Sequence, residues 1–100
     1  MSLAEIMAEE RRAAILATLA EMPAYKLNEN TLKMALDGLG HRITRDQQRG
    51  LLSWLADQGL ARIVREPVED GELWIAILTA SGQDVAGGAA HPGIARPRAH

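Results

Sequence analysis

The chain has 100 residues, of which 47% are hydrophobic, with no cysteine, no phenylalanine and a formal net charge of −2. That length sets one domain with a modest aliphatic core, and the missing cysteine excludes disulfide frameworks, thiolate metal sites and a cysteine nucleophile. The acidic N-terminal stretch has no leader-like pattern, and no apolar run approaches the roughly 20 residues of a membrane span, so a cytoplasmic protein without a membrane partner is expected.

From Leu3 to Met22 there is no Gly or Pro and there are six Ala, which predicts a helix on propensity alone. Its apolar residues spread widely around the helical wheel: Ile6, Ala13, Leu16 and Ala20 on one line, Met7 and Ala14 near it, Ile15 and Leu19 on another. Such a helix either threads a three-helix core or turns its far side to a second copy. Pro23 stops it. Asn28 or Asn30 can cap a second helix, with Glu29 in its first turn and Leu32, Ala35, Leu36 and Leu39 at helical spacing. Gly38 and Gly40 end that run.

The third helix is the best marked. Thr44-Arg45-Asp46-Gln47 reads as a capping box, Leu51, Leu52 and Leu55 form an inner face beside Gln48, and Gly59-Leu60 is a left-handed stop that returns an apolar residue to the core. Ala61–Arg65 and Leu73–Leu78 then flank a Pro67–Gly71 turn, the pattern of a two-stranded β-hairpin. Thr79 caps a last short helix to about Ala86. Gly87-Gly88 opens a tail in which Ile94, with Pro92 and Pro97, is the natural anchor. The reading divides the chain into a body of residues 1–86 and a tail of residues 87–100, docked on the body or on a partner subunit. The order helix, helix, helix, strand, strand, helix makes the fold class α+β, a winged helix-turn-helix with a hairpin wing.

The run Ile43-Thr44, Leu52, Leu55, Gly59-Leu60, a hairpin, then Leu78-Thr79-x-x-Gly82 resembles the winged helix-turn-helix regulators. In that family the helix ending at the Gly-Leu pair is the DNA-recognition helix. A narrower resemblance spans nearly the whole chain. Tyr25-x-Leu27-Asn28-Glu29, Gly40-His41, Trp54-Leu55, Gly59-Leu60, Leu78-Thr79 and Pro92-Gly93-Ile94-x-Arg96-Pro97 are similar to a family of small proteins of Mu-like prophages. The first resemblance implies double-stranded DNA as partner and a transcriptional-regulator role. The second implies a phage origin and, because such genes lie among late and DNA-packaging genes, a part in assembly or packaging with other phage proteins.

Charge distribution bears on this choice. Residues 26–65 carry seven Lys/Arg against four acids, whereas residues 66–86 carry five acids and no base, so positive charge gathers where a reading helix would lie. On the outward side of the third helix stand Arg49 and Ser53, with Arg45 at its edge, all placed for base edges. Thr44, Gln47 and the helix N-terminus can hold a phosphate, with Arg42, Lys33 and Arg62 as further backbone contacts. Arg65 stands beside Arg62 on the first wing strand. Asp46 and Asp57 on the same helix face oppose phosphate, and the wing tip from Glu66 to Glu72 is acidic. The same charges also fit an ordinary solvated face or a protein-binding module. Trp54 and Ile94 are candidate partner contacts, or else packing residues, and a homodimer through the first helix or the tail is expected. His41, His91 and His100 have no metal-ligand spacing, Gly38-x-Gly40 is no nucleotide fingerprint, and Ser2, Ser53 and Ser81 lack an activating base nearby. No cofactor, no metal and no catalytic residue are expected.

Overall fold

The structure, a computed structural model, describes residues 2–96; Pro97 and His100, named above, lie outside the described residues. It is a mixed α+β fold with four α-helices and one three-stranded antiparallel sheet. Helix α1 (Leu3–Ala20) starts at Ser2, whose hydroxyl accepts from the Glu5 N–H at 3.1 Å. It ends two residues before the expected boundary. Pro23–Tyr25 forms a single 3-10 turn in which Ala24 and Tyr25 take left-handed φ values of 57° and 56° and redirect the chain.

That turn leads into β1 (Lys26–Asn28), a strand absent from the sequence reading. β1 pairs antiparallel with β3 (Gly71–Leu78), and β2 (Ala61–Val68) pairs with the other edge of β3, giving the order β1-β3-β2. The expected two-stranded hairpin is therefore part of a three-stranded sheet. Its arms are also longer than predicted, because Pro67 sits on the edge strand β2, where a missing N–H breaks no interior ladder. The turn shrinks to Glu69-Asp70, followed by Gly71 at φ 136°.

Helix α2 (Glu29–Gly38) is capped by Asn28, whose side chain accepts from the N–H groups of Asn30 and Thr31. Helix α3 (Arg45–Asp57) carries the full capping box: Thr44 Oγ1 accepts from the Gln47 N–H at 3.1 Å and Gln47 Oε1 accepts from the Thr44 N–H at 2.9 Å. Helix α4 (Ala80–Ala86) begins at Thr79. Ile15, Leu16 and Leu19 of α1, Leu32 and Leu36 of α2, and Leu52 and Leu55 of α3 close one core with Trp74, Ala76 and Leu78 on the inner face of the sheet. Alternation along β3 fixes that face: Trp74, Ala76 and Leu78 are buried, whereas Leu73, Ile75 and Ile77 are only half-buried.

Candidate functional site

The surface around the N-terminal half of α3 brings together most of the residues singled out from sequence. Lys33, Asp37, Arg42, Ile43, Thr44 and Gln47 line one open hollow of about 350 Å³ beside the start of α3. The capping box positions two of them, and the turn between α2 and α3, with Gly40 at φ 90°, positions Arg42. Lys33 is held 3.5 Å from Asp37, one helical turn on, in an exposed pair of little energetic weight. Arg42 has no ion-pair or hydrogen-bond partner among the described residues and is exposed.

Arg45, one position into the helix, is exposed and donates from Nη2 to Asn30 Oδ1 at 2.7 Å. Its guanidinium is thus aimed along the α2–α3 edge while remaining open to solvent.

Arg49 sits differently. It donates from Nε and Nη2 to both carboxylate oxygens of Glu29, at 2.8 and 2.7 Å, and from Nη2 to the Glu72 backbone carbonyl at 2.9 Å. Glu29 is 2% exposed and also accepts the Trp74 backbone N–H at 2.7 Å. The Arg49 hydrogen bonds hold the Glu29 carboxyl below its usual range; burial opposes this, and the Trp74 N–H with the nearby Arg49 and Arg45 charges reinforces it. Arg49 is raised in turn, chiefly by its hydrogen bonds to Glu29. Its guanidinium lies 4.8 Å from the Trp74 ring centroid, and that of Arg65 lies 4.4 Å from the same ring. Gln48, buried, donates to the Glu29 backbone carbonyl at 2.9 Å. Glu29 therefore ties α2, α3 and β3 together, with Arg49 as its clamp.

The remaining expected contacts separate. Arg62 and Arg65 occupy opposite faces of β2: Arg65 pairs across from Trp74, while Arg62 lies across from Ile77, whose other neighbour is Lys26. Ser53 is half-buried, and the outward ridge of α3 consists of Asp46, Gly50 and Asp57, all exposed. A side chain at Gly50 would meet open space beyond its own helix.

Trp54 and Ile94 meet at a second place. The Trp54 ring is stacked by the Arg12 guanidinium at 4.0 Å, is met edge-on by His91 at 6.0 Å, and carries Gly93 against its six-membered ring. Arg12 Nη1 donates to the Gly93 carbonyl at 3.1 Å, the Ala95 N–H donates to the Glu9 carbonyl at 3.2 Å, and Ile94 is 9% exposed. The chain's own tail thus packs against Trp54, which stays half-buried.

Sequence reasoning missed Asn30 as the partner of Arg45, Glu29 as an ion-pair partner, Trp74 as a stacking plate, and Arg12. A Glu after an Asn cap reads as a helix-dipole residue, and nothing local names a partner 20 positions on. Among the described residues no group of His, Cys, Asp or Glu is arranged to hold a metal ion, and no helix is long and apolar enough to cross a membrane.

No described family profile matches the chain. Two proteins resemble it closely enough to align over most of its length. The uncharacterised protein gp26 of Escherichia phage Mu is 39% identical over 95 residues, 94% of each chain. The chain belongs to the Mu gp26 family. An uncharacterised protein of Haemophilus influenzae Rd is 41% identical over 71 residues, covering 71% of this chain and 67% of its own. Members of the gp26 family thus occur in a phage and in a bacterium, which fits the phage relationship read from the sequence.

Proposed function

We propose that this gp26-family member is a winged-helix protein of a Mu-like prophage that binds double-stranded DNA, with α3 as the reading helix and β2–β3 as the wing, in the manner of a transcriptional regulator. The observation that carries the reading is the hollow at the start of α3, where Lys33, Arg42, Thr44 and Gln47 converge beside a helix N-terminus. Such a terminus presents free N–H groups and partial positive charge to a phosphate, and Arg42 adds Coulomb attraction, while Lys33 in the same hollow is paired with Asp37. Arg45, exposed at the next position, reaches base edges from there. Arg49 then serves by fixing α3 against α2 and β3, and Arg62 with Lys26 offers further backbone contact from the outer sheet face.

The test is fluorescence anisotropy of the protein with random-sequence duplex DNA at two salt concentrations. Binding in the micromolar range that weakens steeply with salt is expected, and an Arg42→Ala/Arg45→Ala variant should lose most of it. Absence of binding at low salt overturns contact with the DNA backbone.

A second reading rests on a separate observation. The outermost ridge of α3, Asp46-Gly50-Asp57, and the wing tip with Glu66, Glu69, Asp70 and Glu72 are acidic and exposed, a surface that repels phosphate. On that reading the domain is a protein-interaction module acting in phage assembly or DNA packaging, and a DNA-negative protein that co-purifies with a phage structural or packaging protein supports it.

A further inference from the structure

Between α1 and α3 lies a second cleft, of about 300 Å³, which shares Ile43 and Gln47 with the hollow at the start of α3. Ile43, Leu51 and Trp54 give it apolar walls, and Arg11, Arg12 and Gln47 give it a polar lining. No acid lines it, although the chain as a whole carries a net charge of −2.

The two arginines are differently engaged. Arg12 stacks on Trp54 at 4.0 Å and donates to the Gly93 carbonyl. Arg11 makes no hydrogen bond or ion pair among the described residues, and its Nε is closed to water without an acceptor. The sequence denies it a helical partner, since Met7, Ala8, Ala14 and Ile15 stand one turn to either side. A half-buried guanidinium without a counter-charge bears a desolvation cost that nothing offsets. Such a group marks a place where a partner is missing. Gln47 adds a donor from the other helix. The capping box commits its Oε1 to the Thr44 N–H, which fixes the amide and leaves Nε2 without a partner among the described residues.

We propose that this cleft binds a small organic carboxylate borne on an apolar body, of the arylalkanoate kind. The carboxylate accepts from Arg11 and Gln47, whose free nitrogens are donors only. The body lies against Ile43, Leu51 and Trp54. A bare inorganic anion would leave those walls wet, and a neutral apolar molecule would leave the Arg11 charge unmatched. Size agrees, because about 300 Å³ stands at the small end of ligand pockets, room for a compact acid. Gly50 also lines the cleft, and a side chain there would meet open space beyond its own helix, so its missing Cβ keeps the cleft wide. The inference does not rest on DNA binding.

A heteronuclear NMR titration of the full chain with 3-phenylpropionate tests it. Saturable shifts at the Trp54 indole N–H and the Arg11 Nε–H are expected, with a Kd of about 1 mM or tighter, while the Trp74 indole N–H stays still. Inorganic phosphate and 3-phenylpropanamide each supply half of the chemistry and should bind at least about tenfold more weakly. Arg11→Gln removes the charge without breaking any contact and should raise the Kd about tenfold or more. Gly50→Leu fills the cleft from a position where a better helix former favours the fold, and should abolish binding while thermal stability is kept. No saturable shift up to about 10 mM acid, equal binding of the amide or of phosphate, or undiminished binding by either variant overturns the proposal.

Discussion

At the scale of single residues, the Glu29–Arg49 pair shows how one side chain can be indispensable to a site without touching a ligand. Glu29 satisfies three donors at once, two from Arg49 and one from the Trp74 backbone, inside a surface that is almost fully closed. Removing one partner leaves buried polar groups unmatched, so Glu29→Ala should destabilise the fold by about 3 kcal/mol in urea denaturation. Glu29→Gln, which keeps an acceptor for the Trp74 N–H, should cost less. The pH dependence has a definite sign. The folded carboxyl titrates below its unfolded value, so the unfolded chain takes up the proton first. The contribution is complete above the unfolded carboxylate pKa of about 4.3 and is lost as pH falls through that value toward the lower folded one. Urea midpoints measured from neutral pH downward should fall across this acid range in the wild type, and the slope should be shallower in Glu29→Gln. Equal slopes would mean that the pair adds nothing to stability.

At the scale of elements, the signals that proved legible are those confined to one turn of chain. Thr44 with Gln47, Thr79 before α4, and Gly59-Leu60 at the end of α3 each encode a boundary within three or four residues, and each boundary is where the sequence puts it. β1 was illegible for the complementary reason. Lys26-Leu27-Asn28 is too short to show alternation and exists only because β3 offers a free edge. The Arg49–Glu29 clamp was illegible in the same way, since wheel geometry puts Arg49 toward the outside of α3 and only the approach of α2 and β3 encloses it. Thr79 shows how far a legible cap can reach. Its hydroxyl accepts from the Gly82 N–H at 3.0 Å and donates to the Gly59 carbonyl at 2.7 Å, fastening α4 to the end of α3. Gly82 lies so close to Leu60 that a Cβ there would collide with the Leu60 carbonyl and with Leu78 Cδ1 at 2.6 Å. Thr79→Ala should therefore cost about 1–2 kcal/mol and Gly82→Ala about 2 kcal/mol or more, read by urea denaturation; a neutral Gly82→Ala would show that α4 can shift at no cost.

At the scale of the whole molecule, the tail completes the body. Residues 91–96 cross from Trp54 of α3 to α1, and Ile94 joins the same apolar cluster as Val85, Leu16 and Leu55. The strap depends on Gly93. Its φ is 84°, and a Cβ would stand 2.6 and 2.8 Å from two ring atoms of Trp54, a ring already fixed by Arg12 on one side. Neither Ala conformation nor space is available there. Gly93→Ala should therefore lift the strap: the Ala95 N–H, bonded to the Glu9 carbonyl, should lose protection in hydrogen exchange, while amides in the middle of α2 and β3 keep theirs. Uniform loss of protection throughout the chain would instead make the tail part of one cooperative unit with the core. Unchanged protection at Ala95 would mean that the Trp54 ring gives way and that the strap is held by Ile94 alone.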